Sequence, residues 1–379
     1  MINTADIIDR LSKKPYADFK ACIGLDGFVD RIIRVVDKRR SAGECSYVRT
    51  LADYGRLISD ASGFSLNVEL ICEKSQLGGN GPIMAYALAR LGSDVSCIGA
   101  FGLPRPAAEF EKLEKLARLY SLSEPARTDD YEFDDGKIIA STLNSLNALD
   151  WNAITEKLPP EQICALFDEA DVIALNNWTM IPAMTGIWKR IQSDILPSLS
   201  DKERLYFIDM ADPGKRTDAD IAEALRVMAG FERFGRTVLS CNHREAIQLA
   251  GALELSASPN SCAALADGIR ESLGIWCVSL HTLTGSFAAT VSGVTEAPGF
   301  YTPKPRVSIG GGDHFNAGLV FALMDGFTLE EALYVASAVS GAYVRTGVTP
   351  SLTDLVRFIS ENIETVSYTH LTLPTKLEV

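Results

Sequence analysis

Several patterns are absent from this 379-residue chain. No two of its eight cysteines (Cys22, Cys45, Cys72, Cys97, Cys164, Cys241, Cys262 and Cys277) form a C-x-x-C pair, so neither a structural zinc site nor a dithiol redox motif is signalled. Scattered, and mostly in apolar runs, they read as free thiols of a reducing, cytoplasmic compartment. No apolar run approaches the roughly 18–20 residues of a membrane span, and no charged-then-apolar leader opens the chain. Histidine is scarce, four in all, and none lies in H-E-x-x-H. G-x-x-x-x-G-K-[ST] and G-x-S-x-G are missing, and Pro213-Gly214-Lys215-Arg216 lacks the first glycine and the hydroxyl of the former. Positive charge is short as well. Lys and Arg total 36 against 49 Asp and Glu, a net −13 that repels nucleic-acid backbones and anionic membrane surfaces. The one basic run, Lys38-Arg39-Arg40, reads as a solvated turn. Neither nucleic acid nor membrane is expected as a partner.

What is present is a hydrophobic content of 47%, too high for a disordered chain. Apolar runs of strand length, Ala21–Leu25, Val95–Ala100, Val172–Leu175, Leu205–Ile208, Thr237–Cys241 and Trp276–Leu280, are continuous rather than alternating, as in strands covered on both faces. Helical patterns separate them at Pro82–Leu91, Gln162–Glu169, Ile181–Ile191, Ile221–Ala229 and His243–Ala250. This rhythm predicts an α/β fold with a central, mostly parallel sheet and helices on both faces. Without an internal repeat or a Ser/Gly/Pro linker, residues 1–365 read as one domain. Two excursions, at about 28–76 (with an amphipathic helix near Tyr47–Ser59) and 128–151, read as a small β-rich lid over one sheet edge. The tail 366–379, VSYTHLTLPTKLEV, has neither helical period nor cap; its first ten residues back-translate to something like a sequencing adapter. It reads as a non-native scar, with a native disordered tail as the alternative.

Three motifs carry chemistry. Gly310-Gly311-Gly312-Asp313 opens the apolar helical run FNAGLVFALMDG. The glycines let backbone N–H groups turn toward one point, and the helix adds its positive end there, making an anion site. An acid at that mouth fits a base that takes a proton from a hydroxyl attacking a phosphoryl group. A Gly-rich turn capped by Asp is the plainer reading. Gly78-Gly79-Asn80-Gly81-Pro82 permits close backbone approach to a ligand and starts a helix at Pro82. Its resemblance to a dinucleotide fingerprint fails at Met84. Asn242-His243-Arg244-Glu245 places an amide and a carboxylate on one face of a first turn, either to order hydrated Mg²⁺ or as a capping box. Asp209-Met210-Ala211-Asp212-Pro213 ends a strand and reads as structural, on the nucleotide side.

In this order and spacing, over about residues 20–350, the three motifs resemble the ribokinase-like (PfkB) family of carbohydrate kinases. The resemblance implies a Rossmann-like ribokinase fold with a β-lid. It implies ATP and Mg²⁺ as co-substrates and transfer of the γ-phosphoryl group to a hydroxyl of a sugar or sugar-like small molecule. Asp313 resembles the family's catalytic base, and Gly310, Gly311 and Gly312 its anion hole. Gly78, Gly79 and Asn80 look like the substrate-facing di-glycine segment. Asn242 and Glu245 look like the pair that orders Mg²⁺ and phosphates, with Glu245 meeting the metal through water. Asp30 is similar to the acid that binds sugar hydroxyls, with Asp26 as a competing candidate because the spacing from the first strand departs from the usual one. A monovalent-cation requirement and the oligomer stay open, lid pairing being a family route to a homodimer.

The departures bear on substrate identity and on nucleotide preference. Val307 and Ser308 stand where Asp-Thr is common, Gly311 replaces an alanine, Ile83 replaces an asparagine, and His314 follows the base where a small residue is usual. Val278-Ser279-Leu280-His281-Thr282 lacks the glycine common in the nucleotide loop. The alternatives are a nucleoside or vitamin kinase of the same fold, or a non-catalytic sugar sensor motivated by Ile83 and His314. A dinucleotide oxidoreductase is a distant third.

Overall fold

The computed structural model describes residues 2–14, 18–256 and 258–362, so the tail 366–379 lies outside the described residues. Along the chain the strands are β1 (Lys20–Gly24), β2 (Phe28–Ser41), β3 (Glu44–Tyr47), β4 (Leu70–Gly78), β5 (Asp94–Gly99), β6 (Arg118–Ser121) and β7 (Ala126–Phe133). They continue as β8 (Gly136–Thr142), β9 (Val172–Leu175), β10 (Leu205–Asp209), β11 (Arg236–Asn242), β12 (Cys277–His281), β13 (Gly285–Thr290) and β14 (Gly293–Pro298).

Nine strands form the main sheet, in the order β14-β13-β12-β11-β10-β9-β1-β5-β6. From β12 to β6 every pairing is parallel; β13 and β14 add an antiparallel edge. The six strands expected from apolar runs are β1, β5, β9, β10, β11 and β12, the fully covered centre. The edge strands β6 and β14, and β13 beside β14, carry polar residues and gave no such signal.

Alternation along the central strands feeds two separate cores. Cys22, Ile98, Ile173, Tyr206, Ile208, Leu239 and Val278 face one layer of helices, with Phe167, Ile187, Leu225, Leu249 and Ile269. Ala21, Ile23, Val95, Cys97, Val172, Ala174, Phe207 and Val238 face the other, with Leu11, Leu88, Leu319, Val335 and Ile359. A sheet sandwiched this way buries apolar side chains on both surfaces, so its strands read as unbroken hydrophobic runs.

The two excursions pair with each other. β2 runs antiparallel to β4 and β3 along one edge and parallel to β7 along the other, and β8 closes the row as an edge strand. The helix Leu51–Asp60, capped by Thr50 through the Asp53 N–H, packs Leu51 and Tyr54 against Val35, Val48 and Phe133 of this small sheet. The second excursion is shorter than its expected span. The small sheet stops at Thr142, because Leu146 and Leu149 turn into the main core. Among the described residues no helix is long and apolar enough to cross a membrane.

Candidate active site

The sequence motifs converge at the carboxyl ends of the parallel strands, beside β1, where strand order reverses and ligands collect in open α/β sheets. Asp26, two residues beyond β1, is fully buried. Its Oδ2 accepts from the Asn80 N–H at 2.9 Å and from Asn177 Nδ2 at 2.7 Å; its Oδ1 accepts from the Gly81 N–H at 2.8 Å. Asp26 therefore caps the helix Asn80–Arg90, whose own start offers no side-chain cap. Burial pushes its carboxyl up to about 6 against the pull of these donors. Gly79 holds φ +93°, and a Cβ there would lie 2.9 Å from Asp26 Oδ2.

The cap fixes where Asn80 points. Its Nδ2 donates to Asp313 Oδ1 at 2.8 Å, across 233 positions of sequence. Asp313 sits in the first turn of the helix Gly311–Met324, whose N-cap Gly310 takes φ +83°. The helix is almost wholly apolar and threads the second core through Phe315, Leu319 and Phe321, which holds its amino end still. The N–H groups of Gly312 and Asp313 have no acceptor among the described residues, and that of Gly311 makes only a 3.4 Å bond to the Ser308 carbonyl. Open donors at a helix start attract an anion. Burial above all, then the nearby charge of Asp209, holds Asp313 well above the usual carboxylate range, while the Asn80 bond pulls the other way.

Asp30 lies on β2, in register with Gln76 of β4 and Thr128 of β7. Its carboxylate lies over Gly78: a Cβ on Gly78 would come within 2.2 Å of Asp30 Oδ2. Burial pushes Asp30 up to about 6, with a hydrogen bond from Thr128 opposing. Asp26 and Asp30 thus differ in kind. The oxygens of Asp26 are taken by protein donors, whereas Asp30 lies half-buried against a backbone that leaves it room.

Asn242 and Glu245 form the capping box of the helix His243–Ala252. Glu245 Oε2 accepts from the Asn242 N–H at 2.8 Å, and Oε1 accepts from the Asp212 N–H at 3.0 Å. The second bond ties the box to Ala211 and Asp212, two non-glycine residues at positive φ beyond β10. Strain of that kind persists where surrounding structure over-determines it, commonly near a site. Burial and then the charge of Glu245 push Asp209 up to about 7; its Oδ2 accepts from Asn316 Nδ2 at 2.6 Å.

Sequence reading missed Asn177, Asn316 and the place of His281. Asn177, at φ +61° and buried, orients Asp26 while its own Oδ1 has no partner. The polar pair Asn176-Asn177 directly after the apolar run VIAL was the available signal. His281 ends β12 beside Gly312, and burial pushes its imidazole down to about 4.

With this geometry in place, the comparisons with known proteins are specific. Residues 9–362 match the family described as prokaryotic ketohexokinase. The chain belongs to that family. A ketohexokinase from Haloferax volcanii is 29% identical over 347 residues, covering 90% of this chain and 91% of the relative. The fold matches a Cryptococcus neoformans ribokinase in complex with ADP, with TM-score 0.61, 17% identity and coverage of 90% and 99% of the two chains. It also matches Arabidopsis thaliana ribokinase complexed with ribose and ATP, with TM-score 0.60, 13% identity and coverage of 90% and 99%. The expected ribokinase fold and the resemblance to ribokinase-like carbohydrate kinases both hold. As a family member the chain is a carbohydrate kinase, an ATP-dependent phosphotransferase.

Proposed function

We propose that the chain transfers the γ-phosphoryl group of ATP to a hydroxyl of a ketohexose, with Asp313 as general base. The observation that carries this reading is the 2.8 Å bond from Asn80 Nδ2 to Asp313 Oδ1, which joins the di-glycine segment and the Gly-rich turn at one buried point. The Haloferax relative, named a ketohexokinase, supplies the sugar class.

In this mechanism Asp30 holds sugar hydroxyls over the Gly78–Gly79 backbone, and Asn80 keeps Asp313 turned toward the acceptor. Asp313 takes the hydroxyl proton as that oxygen bonds to the γ-phosphorus, and the bond to the leaving ADP oxygen breaks. Charge on the transferring group is met by the Gly311, Gly312 and Asp313 N–H groups and the helix terminus behind them. The small sheet acts as the lid, keeping water from the γ-phosphoryl group.

Asn242 and Glu245 fit a hydrated Mg²⁺ rather than a directly coordinated one. Both Glu245 oxygens already accept backbone N–H groups, and no cluster of three His, Cys, Asp or Glu suited to a metal occurs among the described residues. When bound, Mg²⁺ neutralises phosphate charge. The reading extends to a cytoplasmic enzyme, in keeping with eight free cysteines, and to a homodimer paired through the small sheet, where the edge strand β8 exposes Ile139.

The test is a panel of ketohexoses, aldohexoses, pentoses and nucleosides with Mg-ATP, followed by ADP release and ³¹P NMR of the product. A ketohexose is expected to give the highest kcat/KM. Preference for a nucleoside would move the acceptor to another class, and sugar binding without ADP release would favour a sensor.

A further inference from the structure

The Gly-rich turn is held from behind at three consecutive carbonyls. Tyr343 Oη donates to the Ile309 carbonyl at 3.1 Å. His314 Nδ1 bonds the Gly310 carbonyl at 2.6 Å. Ser340 Oγ donates to the Gly311 carbonyl at 2.9 Å. A carbonyl only accepts, so Nδ1 of His314 carries the proton. Burial pushes the imidazole down to about 4, so the ring is neutral and its Nε2 accepts from the Thr349 hydroxyl at 2.9 Å. The His314 ring also stacks on Tyr343, with centroids 3.6 Å apart and planes 10° from parallel. Tyr343 and Ser340 lie on the helix Leu329–Thr346 and Thr349 just beyond it, so one neighbouring segment holds two of the carbonyls directly and braces His314, which holds the third from the turn's own helix.

A trans peptide is flat, and its C=O and N–H point in opposite directions. Fixing the carbonyls of Ile309, Gly310 and Gly311 therefore fixes the N–H groups of Gly310, Gly311 and Gly312. Glycine needs such help more than any other residue, because its backbone is the least restricted. We propose that His314, Ser340 and Tyr343 are positioning residues that aim the N–H groups of the Gly-rich turn at the transferring phosphoryl group. Each acts through a backbone carbonyl. On this account His314, the departure from the small residue usual after the base, is part of the phosphoryl-transfer apparatus. The inference rests on the kinase reading above.

The experiment compares wild type with Ser340→Ala, Tyr343→Phe, His314→Ala and His314→Asn, the last of which places an amide N–H where Nδ1–H stands. kcat and KM are measured with Mg-ATP and the preferred ketohexose. Inhibition by aluminium fluoride with ADP and sugar, a mimic of the transferring group, is measured alongside. For His314→Ala the expected result is a kcat lower by about tenfold or more, since aligned donors act on charge that develops in the transition state. Aluminium fluoride inhibition should weaken by a similar factor, with both KM values within about twofold and Asn recovering much of the Ala loss. Ser340→Ala and Tyr343→Phe should move the same two readouts by smaller factors. All variants keeping kcat within about twofold would overturn the inference. So would a kcat loss matched by equal losses in thermal stability and in ATP and sugar affinity, with Asn no better than Ala. If Asp313→Asn abolishes turnover while these variants stay fast, this inference alone fails; a wild type that transfers no phosphoryl group takes both readings down.

Discussion

The Cβ that Gly78 lacks would lie 2.2 Å from Asp30 Oδ2 and 2.4 Å from Oδ1, inside any real contact distance. Gly78 is thus a glycine because the neighbouring strand lays a carboxylate against it. Gly78→Ala should push Asp30 aside and raise KM for the sugar about tenfold or more, the scale of a lost charged hydrogen bond. KM for ATP should hardly move. Steady-state kinetics with each substrate varied in turn checks this; an unchanged sugar KM would remove Asp30 from the binding site.

Asp313 is held well above the ordinary carboxylate range by burial and then by Asp209. A general base works only after losing its proton, so kcat/KM should rise with pH through a limb above that range. Asp209→Asn removes the like charge and should shift this limb to lower pH. The pH profiles of wild type and variant decide it, and an unshifted limb would assign the titration to another group.

Asp26 offers a stability test. Its two oxygens accept three N–H donors. Asp26→Asn turns an NH₂ toward one of them and should cost about 2 kcal/mol in urea unfolding. Because burial raises Asp26 to about 6 in the folded chain, its contribution to stability is fullest below about pH 4 and declines as pH rises through 6. The gap between wild type and variant should therefore be wider at pH 4 than at pH 7. A gap that widens toward pH 7 would mean the folded chain favours the ionised form.

The centre of the fold was legible because β1, β5, β9, β10, β11 and β12 are covered on both faces, which writes them as unbroken apolar runs. The helix Leu329–Thr346 escaped notice although Thr328 and Glu331 form a capping box at its start. The strands β13 and β14 escaped because Ser286, Thr290, Thr295 and Glu296 mix polar residues into short runs, β14 as an exposed edge. In the site, glycine motifs announce themselves by composition. What orders them does not: Asn177, Asn316, Ser340 and Tyr343 are common residue types, made specific only by the chain's return to the same point from distant positions. Asp26 and Asp30 differ in hydrogen-bond partners that no local spacing encodes.

The central claim, that Asp313 is the base of a ketohexose kinase, is tested most directly by turnover of Asp313→Asn with ATP affinity measured calorimetrically on the same protein. The account predicts a kcat lower by about 10²–10⁴-fold with ATP binding within a few-fold of wild type. Turnover near the wild-type rate, with ketohexose phosphate still formed, would contradict it.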